Sequence, residues 1–442
     1  MNILFINPNP YKLGHRKIKL STIDILLNQM HFYPSLTFPM LAAVTEKRHF
    51  IKFIDELDYN QKINFDIKYD IVAMTCKTYA APRTYEIADE FRKRGITVVL
   101  GGYHASALPD EAKQHADSVV IGEAEDTWPQ LLKDFEKGEL KPFYYQEKPV
   151  DLNKIPDPDR TIFNKKFNQA RIEATRGCPV GCEFCAITNR KFGKIFRTRP
   201  VDKVISEITS RPEKFLFFYD SALTVYIKYT KKLFKEMKGL NKKFFALGNI
   251  AMLGKDEGFL KTAYEAGCVG WNVGFDSICQ DSLKGIKKNT NRVNKYKETI
   301  KKVHDCGMEI NASLIFGFDQ DTKNIFRDSL NFIYDSNIDW AAFQILTPLP
   351  GTPLFKKLNQ EKRILTTNWE KYDFEHVVFQ PKKMTVEELQ NGFRDTFDEY
   401  NVFKNQIKII LKNIDKGLLP IISKAQHFFD IKYRKQYGRY WN

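Results

Sequence analysis

No window of this 442-residue chain approaches the roughly 18 uninterrupted apolar side chains that a membrane-spanning helix requires. That excludes a helical membrane span. Nor is there a low-complexity tract long enough to suggest disorder. Cysteine is scarce, with seven in the whole chain, which excludes a disulfide-held scaffold. No second C-x₂-C pair stands opposite the one cysteine cluster, so a paired zinc motif is lacking. The opening residues Met1–Pro8 are too short for a signal peptide and have no basic lead-in. They read as a first β-strand, and the expected location is the cytoplasm.

Hydrophobic residues make up 43% of the chain, enough for a large core, and the length suggests two to three domains. The net charge of +15 is unevenly placed. Between Asn401 and Asn442 stand nine basic residues and two acidic ones.

The N-terminal part alternates Val/Ile-rich strands with helical patterns. Strands are expected at Asn2–Asn7, Ile51–Asp55, Asp70–Cys76, Ile96–Gly101 and Asp117–Gly122. This α/β alternation implies a doubly wound, Rossmann-like parallel sheet over 1–139, which binds ligands at the carboxyl ends of its strands. Residues 140–169 are polar, carry Pro142, Pro149, Pro156 and Pro158, and read as a linker. A second alternation fills 170–355, with strands at Ala170–Thr175, Lys214–Tyr219, Lys243–Leu247, Val269–Gly274, Glu309–Phe316 and Trp340–Ile345. Six βα units of this kind imply a partial (β/α)6 barrel whose chemistry sits at the C-terminal strand ends. Residues 356–442 read as a mainly helical, basic extension, with Ile407, Ile410, Leu411, Ile414 and Leu418 spaced three or four apart.

The most informative segment is Arg176-Gly-Cys-Pro-Val-Gly-Cys-Glu-Phe-Cys185, just after the first barrel strand. Cys178, Cys182 and Cys185 form C-x₃-C-x₂-C. Three thiolates on one tight loop can bind three irons of a 4Fe–4S cube and leave the fourth iron open to a small chelating molecule. Gly177 and Gly181 allow the loop to wrap closely. A zinc site would need a fourth ligand, and Cys268, Cys279 and Cys306 are dispersed.

With these residues the chain resembles the radical S-adenosylmethionine (SAM) superfamily, and within it the subgroup with an N-terminal cobalamin-binding domain. Further matches are Arg197-Thr-Arg-Pro200, Phe217-Phe-Tyr-Asp220, Gly267 to Ser277, Leu314 to Asp319 and Thr347 to Pro353. In the N-terminal domain, Gly101-Gly-Tyr-His104 and Gly122-Glu-Ala-Glu125 resemble the family's cobalamin-domain blocks, and Thr75 to Thr78 resembles a loop near the corrin. The resemblance implies a 4Fe–4S cluster on the three cysteines. It implies SAM near Phe184, Asp220, Gly274, Asp276, Ser277 and Ser313, with Asp276 standing where the family has Glu. It implies cobalamin near Thr75, Gly101, Gly102, His104, Gly122 and Glu123. The D-x-H-x-x-G string for cobalt ligation by His is missing, so His104 reads as a helix-flanking residue rather than a cobalt ligand.

The activity implied is cleavage of SAM to a 5′-deoxyadenosyl radical, with methylation of an unactivated carbon in a lipid or natural-product intermediate. Non-methylating cyclisation or rearrangement is the first alternative. A non-catalytic corrinoid or metal carrier is the second. No side-chain acid or base is assigned, because radical formation needs none. The expected partners are the substrate and an electron donor such as flavodoxin or ferredoxin. The segment Tyr433–Trp441 mixes cations with aromatics. A solvated helix accounts for it best, and peripheral contact with the inner membrane face comes second. No RNA-binding domain is recognisable after the barrel, so nucleic acid is not expected.

Overall fold

The computed structural model describes residues 1–9, 35–58, 61–163 and 167–402. The expected helix around Ile407–Leu418 and the aromatic–basic segment Tyr433–Trp441 lie outside the described residues.

The first sheet is formed by β1 (Asn2–Asn7), β2 (Phe50–Asp55), β3 (Ile71–Thr75), β4 (Thr97–Gly101), β5 (Ser118–Ile121) and β6 (Phe143–Tyr145). All pairs are parallel, in the order β2-β1-β3-β4-β5-β6. The strands read as near-continuous apolar runs because both faces are covered. Alternate residues feed two separate cores. Leu4, Ile6, Val72 and Val98 pack on one side. Ile3, Phe5, Ile71 and Val99 pack on the other. The order reverses at β1, which has β2 on one side and β3 on the other, so the ligand crevice falls at the carboxyl ends of β1 and β3. Strand β6 lies inside the stretch expected to be a linker. Its three residues were hidden among prolines and polar side chains, and its pairing with β5 extends the first sheet to Tyr145.

The second sheet contains β7 (Gln169–Ile172), β10 (Phe215–Phe218), β11 (Lys243–Gly248), β12 (Cys268–Asp276), β13 (Glu309–Phe316) and β14 (Trp340–Ile345). It is parallel throughout and adds each new strand on the same side, β7-β10-β11-β12-β13-β14. A sheet built this way curls in one direction and gives an open barrel. Between β7 and β10, the short strands β8 (Thr175–Arg176) and β9 (Arg197–Thr198) form an antiparallel ladder.

Period-two alternation sorts the barrel's side chains. Leu216, Phe218, Phe244, Trp271 and Phe343 are buried beneath the outer helices. Phe217, Phe245, Asn272, Ser313 and Gln344 take the other face and keep partial exposure, and Tyr219, just past β10, is exposed. The helix Val386–Tyr400 shares the barrel core through Leu389, Phe393 and Phe397. The Tyr400 hydroxyl accepts a hydrogen bond from the Ala341 amide at 2.8 Å. The core therefore reaches past residue 356, where the sequence places the start of the extension. A capping box at Thr385 and Glu388 starts this helix.

Asp319, just beyond β13, ties the segment after the barrel to its strand ends. It accepts from Arg363 at 2.8 Å, and Lys357 and Lys382 each lie at 3.1 Å. Burial raises its carboxyl, but these three cations outweigh that and hold it at about 2. The folded value is depressed, so its contribution is complete above the ordinary carboxylate value near 4 and is lost as pH falls toward 2. Asp319→Asn should remove about 2 kcal/mol at pH 7 and flatten the stability profile between about pH 4 and pH 2. Denaturant unfolding at stepped pH checks both.

Candidate cofactor site

The cysteine loop leaves the end of β7 and is held from three sides. Asp220, at the end of β10, is fully buried, and its Oδ1 accepts from the Ala174 amide at 2.9 Å and the Thr175 hydroxyl at 2.8 Å, as well as from the Thr175 amide. Burial pushes its carboxyl up to about 7 against these donors. Its Oδ2 has no hydrogen-bond partner. Next, the Cys178 amide donates to the Gly193 carbonyl at 2.9 Å. Gly177 sits at φ +86°, where a Cβ would lie 2.1 Å from the Ile195 carbonyl oxygen, so glycine is required there. Finally, the Asn189 side-chain amide donates to the Cys182 and Cys185 carbonyls at 2.9 and 2.8 Å. Asn189 lies outside the motif, and its role was not legible in the sequence.

On the barrel side, the turn after the helix Gln280–Gly285 docks on the same loop. The Glu183 amide donates to the Ile286 carbonyl at 3.1 Å, and Lys287 pairs with Glu183 at 2.7 Å. The neighbouring Lys288 is buried. Its ammonium donates to the Gly274 carbonyl at 2.9 Å and pairs with Asp276. Asp276 has φ +61° at a register shift in β12. Ser277 is buried, and its hydroxyl accepts from the Cys279 amide at 3.0 Å. Ser313 lies beside Gly274 in register. Phe184 packs against the barrel core, 6.5 Å from the ring of Phe318. Gly274, Asp276, Ser277 and Phe184 are thus gathered on the side of the cysteine loop. Lys288 was missed because nothing in its local sequence sets it apart.

A cavity of about 610 Å³ lies between the carboxyl ends of the two sheets. Thr75, Gly101, Gly102, Gly122 and Glu123 line it from the first sheet, Arg171 and Tyr219 from the barrel side, and Arg176 and Gly177 from β8 and the cysteine loop. Its size is that of a small-molecule site. Five of the six residues expected near a corrin therefore meet on one wall.

His104 is the exception. It is fully buried and lines no part of the cavity. Its Nδ1 pairs with the Thr78 hydroxyl at 3.3 Å and its Nε2 with Glu111 at 3.1 Å, so both ring nitrogens are occupied. The edge of Trp369 meets its ring at 5.2 Å, and the Trp369 indole donates to the same Glu111 at 3.0 Å. In the folded chain His104 anchors the segment that follows the barrel, through Glu111 and Trp369.

The residues present fit the implied cofactors. The donor set is three thiols, and the remaining cysteines stand elsewhere: Cys76 in the core of the first sheet, Cys268 under the second, Cys279 and Cys306 at helix ends. Burial pushes the Cys182 thiol up to about 12, and an iron ion bound there would replace its proton. Gly177, one residue before Cys178, lines the cavity, so the cavity wall reaches the cysteine loop.

Comparisons with known proteins agree with this geometry. The radical SAM superfamily model matches residues 172–333, and the B12-binding domain model matches 41–132. Bacteriochlorophyllide d C-12(1)-methyltransferase of Chlorobaculum tepidum is 33% identical over 81% of this chain and 80% of its own. Bacteriochlorophyllide d C-8(2)-methyltransferase of the same organism is 31% identical, covering 84% of each chain. Among solved structures, the radical SAM methyltransferase TsrM of Kitasatospora setae aligns with a TM-score of 0.64 at 17% identity, over 81% of this chain and 76% of that one, and shows the same fold.

The chain therefore belongs to the radical SAM superfamily, in the branch that carries an N-terminal cobalamin-binding domain. It is an enzyme whose cofactors are a 4Fe–4S cluster, SAM and cobalamin, and it works with a reductant and a small-molecule substrate. No helix among the described residues is long and apolar enough to cross a membrane.

Proposed function

We propose that this enzyme methylates an unactivated carbon of a natural-product or lipid-type molecule lying along the inner barrel wall, between the cysteine loop and the cavity. The observation that carries this is the shared opening: Gly177 of the cluster loop and Gly102 and Gly122 of the first sheet line one space. Bound there, cluster and SAM supply hydrogen abstraction, and the corrin supplies the methyl group.

The wall is divided. Phe217 lies 5.8 Å from Tyr219, Phe215 lies 5.9 Å from Phe245, and Arg171 stacks over Tyr219 at 4.6 Å. The opposite half is polar, with Asn311 donating to Asn272 at 2.8 Å and Ser313 and Gln344 on the same face. SAM takes the polar half, with Gly274, Asp276, Ser277, Ser313, Phe184 and Asp220 around it. The substrate takes the aromatic half. Cobalamin takes the cavity, with Thr75, Gly101, Gly102 and Gly122 against it, while the Glu123 carboxylate on the same wall is turned to Arg197. The names of the bacteriochlorophyllide methyltransferases, and the tryptophan bound to TsrM, both describe molecules with a flat conjugated face. Aromatic rings stack on such faces. A flavodoxin or ferredoxin delivers the electron.

Anaerobic turnover with dithionite, SAM, cobalamin and a chlorin probe tests the reading. Methylation gives one S-adenosylhomocysteine and one 5′-deoxyadenosine per methylated product. Cyclisation or rearrangement gives 5′-deoxyadenosine without S-adenosylhomocysteine, and a carrier protein gives neither. Either of the last two results overturns methylation.

A further inference from the structure

Glu123 stands at the end of β5, beside Gly122 on the cavity wall, and its carboxylate reaches across to the other sheet. Arg197 grips it with both Nη atoms at 2.7 Å. Arg176 and Arg190 each stand at 3.4 Å. The side chains of Glu123, Arg176 and Arg197 are only 5, 11 and 12% exposed. Gln146 backs the carboxylate: its Oε1 accepts from the Glu123 amide at 3.0 Å and its Nε2 donates to Glu123 Oε2 at 3.3 Å. Glu125 and Glu173 each take Arg176 at 2.7 Å, so three carboxylates balance three guanidinium groups. Burial raises the Glu123 carboxyl, yet the arginines outweigh it and hold it at about 2.

The arginines belong to the frame of the cluster loop. Arg176 pairs with Arg197 in the β8–β9 ladder, which closes the loop from Gly177 to Phe196. Arg176 is two residues before Cys178. Inside that loop the Cys178 amide donates to the Gly193 carbonyl at 2.9 Å. A displacement of Arg176 or Arg197 therefore carries the first cysteine with it. Buried ion pairs add little stability over apolar packing of similar volume, and their best-supported use is to fix register.

We propose that Glu123 is a positioning residue: it sets the orientation of the cluster loop relative to the cavity by clamping Arg176 and Arg197, instead of touching the corrin itself. This rests on the cavity being the corrin site. The clamp passes from the wall of the methyl-donor site to the frame of the radical-generating site through one carboxylate.

The test uses the full-length protein loaded with iron, sulfide and hydroxocobalamin, then reduced so that cluster and cobalt are both paramagnetic. Pulsed dipolar EPR reads the distribution of cluster–cobalt distances. Wild type should give one narrow distribution. Glu123→Asp keeps the charge but retracts it by one methylene, and Glu123→Gln keeps the shape but removes the charge. Both should keep iron and corrin content while the distribution at least doubles in width. Arg197→Lys breaks the two-point grip from the other side and should broaden it likewise, so the comparison stands even where Glu123→Gln fails to fold. Unchanged widths in Glu123→Asp and Arg197→Lys overturn the proposal. Loss of corrin with iron retained in Glu123→Asp also overturns it and makes Glu123 a cofactor contact. Failure of wild type to take up corrin overturns the corrin site itself, and this inference with it.

Discussion

Cys178→Ala, Cys182→Ala and Cys185→Ala should each reduce SAM cleavage by more than about 100-fold, because residues that merely support metal ligands already cost 10–100-fold when replaced. The loop offers no substitute thiol. Cys268 is buried under the sheet, and Cys279 and Cys306 cap outer helices. The loss should appear first in the visible spectrum and in iron and sulfide content after anaerobic reconstitution. It should then appear as missing 5′-deoxyadenosine under dithionite. The fold should survive, since Cys178 and Cys185 are only partly buried and sit in a loop outside the main cores. Cys182 is buried, so its variant should show the larger drop in melting temperature. A variant that holds a full cluster and cleaves SAM normally would remove the basis for the cluster assignment.

The second large effect concerns the other cofactor. Gly102→Val should weaken cobalamin binding by about tenfold or more while leaving iron content unchanged. Gly102 has φ +95° and ψ −175°, a region open to glycine almost alone, and forcing another residue there costs about 1–3 kcal/mol. A Cβ at this position would stand 2.8 Å from the Thr75 hydroxyl and 3.1 Å from the Cys76 backbone, which form the adjacent strand end. The strand ends would be pushed apart on the cavity side, and each 1.4 kcal/mol of that strain carried into binding is a factor of ten in affinity. Titration with hydroxocobalamin, followed by absorbance of the bound corrin, gives the answer. Equal affinity in the variant would mean that the corrin does not approach the β3–β4 end.

Both predictions draw on features that were plain in the amino-acid order. The eleven main strands were legible because each is a short run rich in apolar residues that feeds a buried core. The three cysteines were legible because their spacing leaves little other use for them. Two kinds of feature were not. Strand β6 is three residues long and lies among prolines, too short for any period to show. The other kind is contact between residues far apart in the chain. Glu123 and Arg197 are 74 residues apart, and Trp369 and Glu111 are 258 apart. Glu123 was singled out beside Gly122 as a corrin neighbour, and Arg197 as part of a family block after the cluster. Each was noticed, but only the folded chain joins them. Lys288 and Asn189 carry no local signal, because their partners are backbone carbonyls and a bulged strand end. His104 was drawn into the corrin set by its place after two glycines, while its partners Thr78 and Glu111 lie on separate helical turns.

The junction of Trp369 with His104 and Glu111 bears on how such enzymes can be recombined. The Tyr103 hydroxyl adds to it by donating to the Pro350 carbonyl. The methyl-donor half is thus latched by a stretch of chain encoded after the radical half. A chimera that swaps residues 1–145 for those of a relative inherits a mismatched latch unless the stretch around residues 350–369 is exchanged with them. The two halves share these contacts and are not interchangeable cassettes.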